Sequence, residues 1–325
     1  MSEVFNADRN IALESVRVTE VAALAASRFM GGGDEKAADQ AAVAAMHNAL
    51  SGLAFDGTIR IGEGTSDETD KLFVGEKIGT GEGPKMDIAL VALEGKSVVA
   101  RGGPNAMTVI AMAEDGGFLT VPNIYMDKIA VGPGLPEGIV DLDVEPAENL
   151  KALSEAKGTP VSDLVVCMLD RPRHGELIAK IRDAGARIRL IQDGDVSGVI
   201  AATQVDAGID IFLGIGGAPQ GVLAAAAIRG VGGQMQGRLI YRNKDDRADA
   251  GDIGIEDLER KYSAEEMASG NVTFAATGIT YSTMLNGVRH IPGGAITHSM
   301  VWRSVTGTLR YVEGHHDFTR WPAKL

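Results

Sequence analysis

The 325-residue sequence predicts an α/β fold, and three features carry that reading. From about residue 164 onward, apolar runs of strand length alternate with helical stretches. The first half sets two helical patterns beside apolar strands. Apolar residues make up 45% of the chain, enough for a large core without disulfide or metal staples. The alternating half implies a mainly parallel sheet covered by helices, and the first half a mixed one. The chain reads as two α/β halves, 1–140 with the acidic motifs and 141–325, joined through the Gly- and Pro-rich segment Gly132–Asp141.

In order along the chain, Asn10–Met30 carries an apolar stripe at helical spacing, ended by Gly31-Gly32-Gly33. Asp34 is the expected N-cap of a second helix running to about Leu53. Strands are expected at Thr58–Ile61, Asp87–Leu93, Gly117–Val121 and Lys128–Val131, and a helix at Asn105–Ala113. The second half then gives strand Leu164–Leu169, helix Arg173–Ala184, strand Ile188–Ile191, helix Val196–Thr203, strand Ile209–Leu213 and helix Gly221–Arg229. A strand at Arg238–Tyr241 and a charged loop to Lys261 follow. Strands at Val272–Ala276, Ser299–Arg303 and Thr308–Val312 come next, before a tail, His315–Leu325, expected to be mobile.

Charge and cysteine use narrow the function. A net charge of −13 argues against a nucleic-acid or anionic-membrane surface. It leaves room for a phosphorylated small molecule, held by a few local cations and backbone N–H groups. The single cysteine, Cys167, sits in an apolar run and reads as a core thiol, which fits a reducing, cytoplasmic compartment. No secretory leader and no apolar stretch of membrane-spanning length is expected.

Three strand-end turns carry candidate chemistry. Arg171-Pro172-Arg173-His174 places two guanidiniums where a helix starts, suited to a phosphate; the alternative is an exposed amphipathic helix start. Asp193-Gly194-Asp195 offers two carboxylates for sugar hydroxyls or a hard cation; the alternative is a cap and a turn residue. Gly214–Gly221 lets backbone approach a ligand closely. In the first half, Glu63 lies between glycines and Glu94 follows an apolar strand, where an unpaired carboxylate would be costly. With Asp39, Asp67 and Glu68 they offer carboxylates for Mg²⁺ or Mn²⁺; the alternative, scattered solvated acids, fits Asp67 and Glu68 better than Glu63 and Glu94.

At these residues the chain resembles the class II fructose-1,6-bisphosphatases, from about Leu13 to Val312. The carriers include Ser15–Glu20, Ala37-Ala38-Asp39, Asp56-Gly57-Thr58, Ile61–Gly64, Val74–Lys77, Tyr125-Met126, Arg171–His174, Asp193–Asp195, Gly214–Pro219 and Ala275–Gly278. The resemblance implies a layered α/β/α/β/α sugar-phosphatase fold of the inositol monophosphatase group. It also implies Mg²⁺- or Mn²⁺-dependent hydrolysis of the 1-phosphate of fructose 1,6-bisphosphate, or in some members of sedoheptulose 1,7-bisphosphate. By position, Asp39, Glu63 and Glu94 match metal ligands. Glu94, Gly95, Lys96, Tyr125, Arg171, Pro172, Arg173, Asp193, Gly194, Asp195 and Gly217 match substrate-contact positions, and Asp39, Glu94 and Lys96 fall at catalytic ones. A homodimer or homotetramer is implied as well.

The departures fall in the acidic part. Where the resembled pattern has a metal-ligating Asp this chain has Val91. Where it has a water-orienting Thr stands Lys96, and where it has a metal-ligating Glu stands Gln220. Two negative charges are lost and one positive charge is gained. Metal binding is therefore expected to be weakened or lost. Three readings stay open: a phosphatase with an atypical site, a catalytically silent or regulatory paralogue that binds a sugar phosphate, and altered chemistry with Lys96 as base or Schiff-base nucleophile. For Lys96 a plain structural role, as a cation paired with Glu94, is the competing explanation.

Overall fold

A computed structural model describes residues 4–320, with side chains from Ile11 onward. The chain packs as two compact units, one built from 1–118 with 270–325, the other from 119–269. The boundaries differ from the expected division near residue 140. The last strands return to the first unit because β11 completes the sheet begun by β3 and β4, a pairing across more than a hundred residues that local sequence pattern does not report.

The first unit opens with helices α1 (Val4–Ser27) and α2 (Glu35–Ser51). Asp34 caps α2, accepting from the Ala37 N–H at 2.9 Å. Strands β1 (Asp56–Ile61), β2 (Lys77–Ile78) and β3 (Lys85–Glu94), helix α3 (Lys96–Arg101) and strand β4 (Met107–Glu114) follow. The expected helix at Asn105–Ala113 is therefore a strand. It lies between neighbours, with Met107–Ala113 all buried, so its unbroken apolar run is that of a central strand; β-branched Thr108, Val109 and Ile110 favour that state. No strand forms over the expected Gly117–Val121 among the described residues.

In the second unit the order is β5 (Tyr125–Val131), α4 (Pro146–Lys157), β6 (Val165–Leu169), α5 (Gly175–Asp183), β7 (Arg187–Ile191), α6 (Asp195–Ala201), β8 (Ile211–Gly217), α7 (Ala218–Val231), β9 (Gln234–Ile240), α8 (Lys244–Asp252), β10 (Lys261–Ser263) and α9 (Ala264–Met267). The expected charged loop thus contains α8, a helix with little apolar content whose start is fixed by Asn243 accepting from the Asp246 N–H. Back in the first unit come β11 (Val272–Gly278), β12 (Arg289–Ile291), β13 (Gly294–Arg303) and β14 (Thr308–Asp317). His315–Asp317, expected in a mobile tail, close β14 on β13; residues 321–325 lie outside the described residues.

Both sheets are mixed. The first runs β12-β13-β11-β4-β3-β1-β2, with β14 on β13. There β1 and β3 pair in parallel, while β3, β4, β11 and β13 form an antiparallel run. Helices α1 and α2 cover it through Val16, Leu24, Met46 and Leu50, which meet Ile88, Leu90 and Ile110 in one core. The second runs β10-β9-β5-β8-β6-β7. The alternating strand–helix pattern yields parallel pairs only for β6 with β7 and β8; β5 enters antiparallel between β8 and β9. No helix among the described residues is long and apolar enough to cross a membrane.

Two buried groups in the second unit lead to checks. Cys167 is 1% exposed, and burial pushes its thiol up to about 12. The native protein should therefore resist a thiol reagent at neutral pH and react once unfolded; prompt labelling of the native chain would contradict this. His174, 1% exposed, ties β6 to β8: its Nδ1–H donates to the Leu169 carbonyl (2.7 Å), and the Ile215 N–H donates to its Nε2 (2.8 Å). Burial lowers its pKa, and a protonated ring would set one N–H against another. The unfolded chain then binds the proton more readily, so this contribution to stability is full above the unfolded value of about 6.5 and fades as pH falls through the folded value. Urea midpoints should drop below about pH 6.5 in the wild type and less steeply in His174→Gln; identical slopes would exclude His174 as the cause.

Candidate functional site

The acidic residues gather in the first unit at the carboxyl end of β3. Asp39 lies in the second turn of α2. The parallel register of β1 with β3 ends at Ile61 and Ala89, and just beyond it the Ala92 N–H donates to Glu63 Oε1 at 2.7 Å. The β3–β4 register shifts between Val91 and Glu94, a bulge that re-aims the strand end. Gly95 then takes a left-handed φ of 92°, and a Cβ there would press on Ala106 at 3.2 Å. This turn delivers Lys96 to the start of α3.

The Lys96 Nζ sits 2.9 Å from Asp39 Oδ2 and 3.6 Å from Glu63 Oε2. The Lys96 ammonium thus lies against Asp39 and Glu63. Burial is the main influence on both charged partners. It raises the Glu63 pKa, with Lys96 opposing. On Lys96 burial alone would lower the pKa, but Glu63 and Asp39 together outweigh it and hold the ammonium above its ordinary value. Asp39 Oδ1 is buried with no hydrogen-bond partner among the described residues. Glu94 is 5% exposed at the end of β3, and Val91 offers no donor atom.

Two of the three acids expected as ligands already close on an ammonium. Among the described residues no group of three or more His, Cys, Asp or Glu side chains is arranged to hold a metal ion. Gln220, the remaining departure, lies in the second unit in the first turn of α7.

The other candidates gather in the second unit at one end of β5, β6, β7 and β8. Arg171 precedes a single 3₁₀ turn, Pro172–His174, and α5 begins only at Gly175, so Arg173 is in the turn and not in the expected helix. Its Nε and Nη2 donate to the Ile215 carbonyl at 3.0 and 2.6 Å, and its guanidinium lies 4.8 Å from the centre of the Tyr125 ring. Arg171 Nη2 stands 4.0 Å from Asp193 Oδ1. Gly194, left-handed at φ 87°, precedes α6, and Asp195 begins that helix.

Gly214–Gly217, expected as a turn, is the last part of β8, and α7 starts at once with Ala218. These glycines make room for side chains. A Cβ at Gly216 would run into the Asp195 carboxylate and the Lys128 ammonium. Lys128 is fully buried, pairs with Asp195 Oδ2 and donates to the Gly217 carbonyl at 3.0 Å. It escaped the sequence reading, although a lysine within an apolar strand was a usable signal. Arg242, just after β9, was missed too; its guanidinium also lies 4.8 Å from the Tyr125 ring centre. Nothing in its local sequence marks it, because the contact depends on β9 pairing with β5.

A family described as bacterial fructose-1,6-bisphosphatase, glpX-encoded, matches residues 9–316. A D-fructose 1,6-bisphosphatase class 2/sedoheptulose 1,7-bisphosphatase of Trichodesmium erythraeum is 42% identical, over 96% of this chain and 97% of its own length. Proteins of the same description from two Synechococcus strains are each 42% identical, over 95% of this chain and 96% of their own lengths. By a match across nearly its whole length, the chain belongs to the bacterial, glpX-encoded fructose-1,6-bisphosphatase family.

Proposed function

We propose that this protein binds a sugar bisphosphate, fructose 1,6-bisphosphate or sedoheptulose 1,7-bisphosphate, and hydrolyses its 1-phosphate only weakly. The relatives' substrates supply the ligand class. The observation that carries the weakened hydrolysis is the Lys96 ammonium lodged against Asp39 and Glu63.

In this reading Arg171 and Arg173 receive phosphate, with Arg173 held in advance by the Ile215 carbonyl and Tyr125. Asp193 and Asp195 accept from sugar hydroxyls, and Lys128 pairs with Asp195 and holds it in place. The close packing at Gly217 and the turn at Gly194 bring backbone to the ligand. Glu94, Gly95 and Lys96 are taken as substrate contacts by the resemblance, the Lys96 ammonium being suited to offset phosphate charge. Asp39 Oδ1 is left to accept a hydrogen bond from ligand or water. The acids beside Lys96 favour the charged ammonium over the free amine, which counts against a Schiff-base role. The same reading takes Mg²⁺ or Mn²⁺ to bind poorly, the protein to be cytoplasmic and the assembly to be a homodimer or homotetramer.

A silent, ligand-binding paralogue is the second reading, favoured by the same Lys96 contact. Phosphate release separates the two. With Mn²⁺ and fructose 1,6-bisphosphate, turnover should lie at least about 10²–10³ below that of a relative with the full ligand set, the usual effect of losing one charge-stabilising group. Val91→Asp, Lys96→Thr and Gln220→Glu together should raise it. Turnover equal to the relative's would contradict weakened hydrolysis. No release from the wild type, with release from the triple variant, would establish the silent reading.

A further inference from the structure

Tyr125 begins β5 and is flanked in the sheet by Gly217 of β8 and Ile240 of β9. Two arginines reach its ring, one from the turn after β6 and one from just after β9. Arg173 comes from the β8 side, fastened to the Ile215 carbonyl, and Arg242 follows β9; both guanidiniums lie 4.8 Å from the ring centre. Like charges brought to one aromatic ring repel, and cation–π attraction at a part-exposed ring is small. The protein nevertheless fixes both.

The way each is fixed is alike. Arg173 spends Nε and Nη2 on the Ile215 carbonyl. Arg242 spends Nε and Nη2 on Asp246, at 3.1 Å to Oδ2 and 3.3 Å to Oδ1. Asp246 is itself held, accepting from the Arg242 N–H at 2.8 Å while its own N–H is capped by Asn243. In both arginines Nη1 makes no hydrogen bond among the described residues, and the Arg242 side chain is 49% exposed. Two guanidiniums anchored along one edge, each with an N–H₂ group unspent beside the same ring, form a preorganised receiver for an anion with several acceptor oxygens.

We infer that Arg242 is a specificity-determining residue, which with Arg173 and Tyr125 recognises a phosphate group of the sugar bisphosphate. The inference rests on the sugar-bisphosphate reading above. Asp246 is then a positioning residue that aims the Arg242 fork. A lysine at 242 keeps the charge but loses the planar fork and its grip on Asp246.

Calorimetric titration tests this with the full-length protein, on fructose 1,6-bisphosphate, fructose 1-phosphate, fructose 6-phosphate and inorganic phosphate. Arg242→Gln should weaken bisphosphate binding about 10- to 100-fold, the usual effect of losing a charged hydrogen bond. It should also bind one of the two monophosphates as tightly as the wild type does, which identifies the phosphate Arg242 holds. Arg242→Lys should fall between the two. Equal bisphosphate affinities, or equal losses for both monophosphates, would overturn the inference. If Arg242→Gln fails to fold, by its thermal unfolding curve, Arg242→Lys carries the same comparison. A wild type that binds inorganic phosphate but neither sugar phosphate would overturn the sugar-bisphosphate reading. Weaker inorganic phosphate binding in the variant would then still support Arg242 as an anion residue.

Discussion

A carboxylate taken out of water needs a compensating charge or a full set of hydrogen-bond donors. At the end of β3 this protein meets that need with an ammonium. The Glu63 side chain is only 9% exposed and has one backbone donor, from Ala92, beside Lys96. Asp39, on α2, takes the same ammonium from the other side at 2.9 Å. One positive charge thus links α2, the segment after β1 and the start of α3. Removing it would leave two acids facing each other with nothing between them.

Lys96 reaches that point through backbone geometry. The bulge between Val91 and Glu94 ends the regular β3–β4 register, and Gly95 adopts a conformation that a residue with a Cβ would adopt only under strain. The second unit uses a parallel device. There a buried lysine, Lys128, neutralises Asp195, and Gly216 has no side chain because the pair fills that space. In each unit, a lysine fixes an acid beside glycine backbone. The difference lies in exposure: Lys128 is sealed in the sheet, whereas the Lys96 side chain is 43% exposed.

Much of this was legible in the sequence. Helical spacing located α1 and α2, and Asp34 was read as the cap it proves to be. The apolar runs located β3, β6, β11 and β13. Two of the misreadings share one cause, which is that tertiary pairing overrode local pattern. Residues 107–114 looked helical because a central strand lacks polar alternation. The return of β11–β14 to the first sheet could not be seen from spacing at all. At the candidate site, Arg173 and Asp195 were singled out from strand-end turns and Glu63 from its flanking glycines, whereas the assignment of Asp39 came with the family resemblance. Arg242 was not, because its place beside Tyr125 follows from the β5–β9 register. The substitutions Val91, Lys96 and Gln220 were visible, but the partners of Lys96 were legible only in three dimensions.

The proposed weak metal binding rests on the Lys96 ammonium lying against both Asp39 and Glu63. Anomalous scattering from a crystal soaked in Mn²⁺ tests it most directly. The account predicts no manganese peak between these carboxylates in the wild type, with the Lys96 Nζ at that point. A well-occupied manganese peak there, with Lys96 swung aside, would contradict it.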